Sequence, residues 1–94
     1  MPYIKQSDRY NYDKAIESLA SELLLEIKHG KTDIKGDANY VITRLLALIF
    51  DLKNPSYAKI ADAIATLECA KLELYRRVAS EYENIKIKEN GDAY

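Results

Sequence analysis

From Ser56 to Ile85 the chain reads SYAKIADAIATLECAKLELYRRVASEYENI, a stretch with neither glycine nor proline. Strong helix formers dominate it, and Ser56 is a good N-terminal cap. Its apolar residues Ile60, Ile64, Leu67, Leu74, Val78, Tyr82 and Ile85 follow one another at intervals of four and three, with one gap of seven across position 71. That is the rhythm of a coiled-coil seam, interrupted at Lys71. About 29 residues at 1.5 Å each make a helix of roughly 43 Å. A compact domain of this length has a radius of gyration near 12 Å, or a diameter of about 32 Å for a sphere. The helix must therefore overhang its own domain, bend, or lie against another copy.

Two further helices precede it. Ile16, Leu19, Ala20, Leu23, Leu24 and Ile27 mark one helical face. Asn11 is a candidate cap, Asp13 suits the amino-terminal end of the helix dipole, and Gly30 can close the far end in a left-handed conformation. Asp37 is the candidate cap of the second helix, which Asn54-Pro55 must end because the residue before proline avoids the helical region. Val41, Ile42, Leu45, Leu46, Leu48, Ile49, Phe50 and Leu52 cover most of its circumference. Such a helix needs cover on more than one side.

The expected fold is an all-α, three-helix domain with helices over about 12–29, 37–53 and 56–86. The second helix is expected between the other two. The whole chain, 1–94, reads as one helical domain with irregular arms at 1–11 and 88–94. An alternative for Ile85-Lys86-Ile87-Lys88 is a short strand paired with Tyr3-Ile4-Lys5.

Composition narrows the function. Hydrophobic residues at 48% and charged residues at 31% describe a folded, soluble chain of 94 residues. Fourteen basic against fifteen acidic residues give a formal charge of -1, evenly spread over the two halves. This removes the usual footprint of a nucleic-acid binder, although a local basic patch stays open. The longest apolar run, Leu45 to Phe50, is far short of a membrane span, and the N-terminus does not read as a signal peptide. The expectation is a cytoplasmic protein. Abundant Lys, Glu, Ile and Tyr with a single glutamine lean toward a thermophilic composition.

No catalytic template is legible. Three glycines, at 30, 36 and 91, form no phosphate loop. One histidine, His29, and one cysteine, Cys69, cannot build a triad or a zinc site within one chain. The reading therefore implies no cofactor, no metal and no catalytic residue. The candidate binding residues are Arg44, Glu68, Glu73, Tyr75, Arg76, Arg77 and Tyr82. Guanidinium groups bind phosphate or carboxylate bidentately and stack on aromatics, so Arg44, Arg76 and Arg77 with Tyr75 and Tyr82 could build an anion pocket. The plainer reading pairs Glu73 with Arg76 or Arg77 and Glu68 with Lys71, one helical turn apart. Eight tyrosines against one phenylalanine suit half-wet edges of an interface.

The segments Gly36 to Leu45 (GDANYVITRL) and Leu67 to Val78 (LECAKLELYRRV), the Asn90-Gly91-Asp92-Ala93-Tyr94 ending and the opening Met1-Pro2-Tyr3-Ile4-Lys5 resemble a family of small uncharacterised proteins of archaea, bacteria and phage genomes. The likeness covers nearly the whole chain. In that family a proline often precedes the Tyr-Glu pair, where this chain has Ser80-Glu81 before Tyr82-Glu83. The helix is therefore expected to run further here. The resemblance implies no reaction and no functional residues.

Interface chemistry without a reactive group makes a non-catalytic interaction module the leading expectation. The expected partner is a second copy in a homodimer, with another protein as an alternative. An anion- or nucleic-acid-binding protein is the next reading, and a small enzyme with a Glu/Arg pocket the third.

Overall fold

The computed structural model describes residues 3–94, and Met1 and Pro2, read above as part of an irregular arm, lie outside the described residues. Three helices account for the fold, with no strand among the described residues. They are α1 (Gln6–Lys28), α2 (Lys35–Ile49) and a third made of three continuous segments. Tyr57–Leu74 is α-helical, Tyr75–Ala79 is a π turn, and Ser80–Asn90 is α-helical again. Together they form one helix of 34 residues, α3 (57–90).

The helix ends show which sequence signals acted. Gly30 takes φ 101°, and the Lys31 and Gly30 amides donate to the Glu26 and Ile27 carbonyls at 3.0 Å each. This is the left-handed termination expected at that glycine. Ser56 caps α3, its hydroxyl accepting the Lys59 amide at 3.2 Å.

Other boundaries moved. α1 starts at Gln6 rather than near Asn11, so the N-terminal arm is shorter than 1–11. No side chain caps it, but the Asp8 amide donates to the Lys5 carbonyl and Arg9 Nε donates to the Ile4 carbonyl at 3.1 Å. Asp37 lies inside the first turn of α2, engaged by Lys31, and Asp33 accepts the Lys35 amide at 3.0 Å instead. α2 also stops at Ile49, four residues before Lys53. Asp51 takes φ 51°, the Leu52 amide reaches back to the Ala47 carbonyl at 3.0 Å, and the Asp51 carboxylate receives Asn54 and Lys59. Aspartate tolerates the left-handed region better than most residues, so it serves where glycine usually does. At the other end, residues 85–88 stay helical and α3 runs to Asn90, so the strand alternative fails and the C-terminal arm is 91–94.

The three helices are joined at three points, two of them chain turns. Lys31 Nζ bonds both oxygens of Asp37, at 2.8 and 2.9 Å, where α1 turns into α2. Lys59 Nζ bonds Asp51 at 3.1 Å and the Asn54 carbonyl at 2.8 Å where α2 turns into α3. The Tyr3 hydroxyl donates to Glu73, tying the start of α1 to the middle of α3. Rods joined only by such contacts make an open frame. Its sides are about 35 Å for α1, about 22 Å for α2 and about 25 Å for α3 up to Glu73. Away from the corners, rods of these lengths diverge beyond the 8–10 Å at which helices pack.

The frame is accordingly open. α1, α2 and α3 make almost no tertiary contacts with one another, and Ala63, at 5% exposure, is the sole buried residue among those described. The radius of gyration is 17.1 Å with extents of 50 × 37 × 30 Å. A compact chain of this length would have about 12 Å. Hence the expected sandwich is corrected: α2 is not enclosed, and Ile42, Leu45, Leu48 and Ile49 are exposed. No helix of the described residues is long and apolar enough to cross a membrane.

Candidate site at the π turn of α3

Halfway along α3 the hydrogen-bond ladder changes step. The Ser80 amide donates to the Tyr75 carbonyl, a five-residue span, while the Tyr75 amide is shared between Leu72 and Lys71. One such turn inside an α-helix absorbs an extra residue and rotates everything beyond it by about 100°. Turns of this type recur at functional sites. Here the turn contains Tyr75, Arg76 and Arg77 and starts two residues after Glu73.

Glu73 is the centre of the polar arrangement. One of its carboxylate oxygens, Oε1, accepts from the Tyr3 hydroxyl and from Arg76 Nη2, the latter at 2.9 Å. It is half-buried, whereas Arg76 is largely exposed. The Tyr3 hydrogen bond, and after it the Arg76 one, holds the Glu73 carboxyl below the usual carboxylate range. The same bond pushes the Tyr3 hydroxyl up, because ionising it would put two anions together. Arg76 and Arg77 oppose that rise from a greater distance.

The remaining candidate residues are spread along two helices. Glu68 pairs with Lys71 at 3.5 Å, on the surface. Tyr82 carries Lys86 Nζ over its ring, 5.4 Å from the centroid. Tyr75 is exposed. Arg44 on α2 and Arg77 on α3 make no hydrogen bond or ion pair among the described residues. Glu73 and Arg76 are therefore the pair that the structure brings together. Tyr3 joins them, although the sequence read it as part of an irregular arm with a strand pairing to residues 85–88 as the alternative.

As chemistry, this arrangement is a fastener. A general acid needs a carboxyl whose pKa is raised toward neutrality, and Glu73 is shifted the other way. Two shallow hollows lie elsewhere. One follows Ile4, Arg9, Tyr12 and Ile16 at the start of α1, and the other follows Lys86, Ile87 and Tyr94 at the chain end. No cluster of three or more His, Cys, Asp or Glu side chains suited to a metal ion occurs among the described residues. Cys69 is a half-buried free thiol.

The chain belongs to a family described as a domain of unknown function (DUF6899), whose pattern matches residues 1–93. No curated protein matches the chain, and no solved structure matches it.

Proposed function

We propose that this chain is a non-catalytic helical interaction module whose native state is self-associated. The observation that carries the reading is the missing cover. The chain exposes 8484 Å². A compact monomer of 10.7 kDa exposes about 5,500 Å². The excess, about 3,000 Å² per chain, would come to about 6,000 Å² for two copies, the scale of permanent interfaces rather than passing encounters. With one buried residue among those described and large apolar side chains exposed on every helix, the chain alone has little apolar burial to set against the conformational entropy of ordering three helices. With a formal charge of only -1 per chain, the net repulsion between two copies is slight.

Light scattering at micromolar concentration tests this, with circular dichroism on the same samples. The expected result is twice the 10.7 kDa chain mass, with helicity and mass falling together on dilution. A fully helical monomer would sink the reading.

A second reading rests on Arg77 and Arg44, which lack carboxylate partners among the described residues, and on the place of Arg77 in the π turn. Under it, the Arg76-Arg77 pair with Tyr75 takes a phosphate or carboxylate. Affinity for a short single-stranded oligonucleotide that falls steeply between 50 and about 200 mM salt would favour it. Binding that ignores salt, or none, would remove it.

A further inference from the structure

The self-association proposed above leaves open how two copies meet, and α3 carries enough asymmetry to decide it. Lys59, Ala63, Cys69 and Glu73 are its buried or half-buried residues up to the π turn. At 100° per residue they occupy one flank, about 120° wide. The seam of Ile60, Ile64, Leu67 and Leu74 lies on the adjoining face and is 44–64% exposed. The seam therefore faces away from what the chain covers by itself.

The π turn then sets the direction of the seam. Without it, Ile85 would follow Leu74 at a helical repeat of eleven residues. With one residue absorbed at 75–79, Tyr82 moves into line with Leu74, and Ile85 swings off by about 80°. The corrected seam is nearly palindromic about Lys71. Ile60, Ile64 and Leu67 precede that lysine by eleven, seven and four residues, while Leu74, Val78 and Tyr82 follow it by three, seven and eleven. Reversing one helix against another about this point sets Ile60 against Tyr82, Ile64 against Val78 and Leu67 against Leu74. It also sets Lys59 against Glu83.

The area to be covered and the charges along α3 select between orientations. Beyond the Tyr3 corner, residues 74–90 of α3 overhang the frame by about 25 Å. In a parallel pair the two overhangs cover each other, and like charges meet along α3, Lys59 against Lys59 and Glu83 against Glu83. In an antiparallel pair each overhang lies beside the partner's residues 57–68, at the edge of the partner's frame. The exposed Ile60 and Ile64 there then gain Tyr82 and Val78 as apolar neighbours.

We infer that a second copy of this chain docks antiparallel along the α3 face of Ile60, Ile64, Leu67, Leu74 and Val78, with the two-fold axis at Lys71, each C-terminal half of α3 lying beside its partner's residues 57–68. The contact is isologous, as a closed dimer requires. Lys71 stands at the crossing, where the Glu68 carboxylate 3.5 Å away balances it.

Spin labels on full-length chains in a Cys69→Ser background test this, with circular dichroism and light scattering confirming fold and mass. Labels on Glu89→Cys lie eighteen residues from the axis, so two copies should be about 50 Å apart. A mixture of chains labelled singly at Glu89→Cys and at Tyr57→Cys should add a distance below about 20 Å, since the two ends then lie side by side. A Glu89 pair closer than about 20 Å in a dimer of full mass would overturn the antiparallel arrangement and leave self-association standing. No dipolar coupling together with a monomer mass would overturn both.

Discussion

At the corner between α2 and α3, Asp51, Asn54, Ser56 and Lys59 satisfy one another within a few ångströms. Along the side of α3 that starts there, Ile60, Ile64 and Leu67 are left largely open. The same division holds around the frame: polar groups and chain reversals are closed by local bonds, while apolar faces lack cover. Local bonds of this kind contribute about 1 kcal/mol each and need only a few neighbouring residues. Burial of apolar area drives folding more strongly than any other interaction, and it must come from an opposing surface. The corners therefore give the chain its shape, and its stability depends on what covers the sides.

The harshest way to break this division is to charge a side. Leu67→Asp places a carboxylate in the middle of the seam, and an unpaired charge there should weaken association by about 3 kcal/mol or more, roughly 100-fold. Mass and helicity should fall together in light scattering and circular dichroism. A monomer that kept its helices would show that the corners suffice alone. Asp62→Asn, on the flank away from the seam, is the control and should change neither.

The opposite change sharpens the comparison. Lys71→Leu removes two like charges from the proposed crossing and completes the apolar seam. It should tighten association by about tenfold, on the order of 1.4 kcal/mol, read as a lower dissociation midpoint on dilution. An unchanged midpoint would move the contact off this face.

How much of this was legible follows from the range of each interaction. Gly30 and Ser56 end and begin helices through bonds to residues at most five positions away, so their sequence signals sufficed. Asp51 acts at equally short range, but Asn54-Pro55 offered a louder stop and hid it. No side chain caps α1 at Gln6, its first-turn Asp8 is a weaker signal than Asn11 and Asp13 further on, and the Tyr3 bond that holds this end to Glu73 spans seventy residues. The π turn leaves no mark in hydrophobic spacing beyond the small offset between Leu74 and Tyr82. Periodicity marked apolar faces on all three helices, although Ile85 leaves the α3 seam beyond the π turn and Phe50 and Leu52 lie past the end of α2, and it says nothing about what covers a face. For the same reason the Glu73 and Arg76 pair, one turn apart, could be read directly, while the third member, Tyr3, could not.

Corner substitutions should be milder than either change to the seam. Ser56→Ala removes the cap of α3 and should cost about 1 kcal/mol. Gly30→Ala meets no side chain or backbone within 4 Å, so only the strain of φ 101° counts, again about 1 kcal/mol. Both should lower the denaturant midpoint while the mass at high concentration stays unchanged. If either variant dissociated the protein as fully as Leu67→Asp, corners and sides would not be separable.

The smallest effect belongs to the Tyr3 and Glu73 fastener, and pH isolates it. Glu73 has a folded pKa below its ordinary value near 4.3, so its contribution is present above that value and is lost as pH falls through the folded one. Tyr3 has a folded pKa above its ordinary value near 10, so its contribution is present below about 10 and is lost as pH rises through the raised one. The bond should thus be closed from about pH 5 to 9 and open at both extremes. Tyr3→Phe removes the donor and leaves the ring, so the stability difference between wild type and variant should appear only inside that window. Glu73→Gln keeps an acceptor without the charge, which should abolish the acid arm and spare the alkaline one. Denaturant midpoints measured at pH 3, 7 and 11 would show both patterns. A Tyr3→Phe difference that stayed constant across the three would mean that the ring, rather than the hydroxyl, holds α1 to α3, and this corner would then belong with the apolar sides.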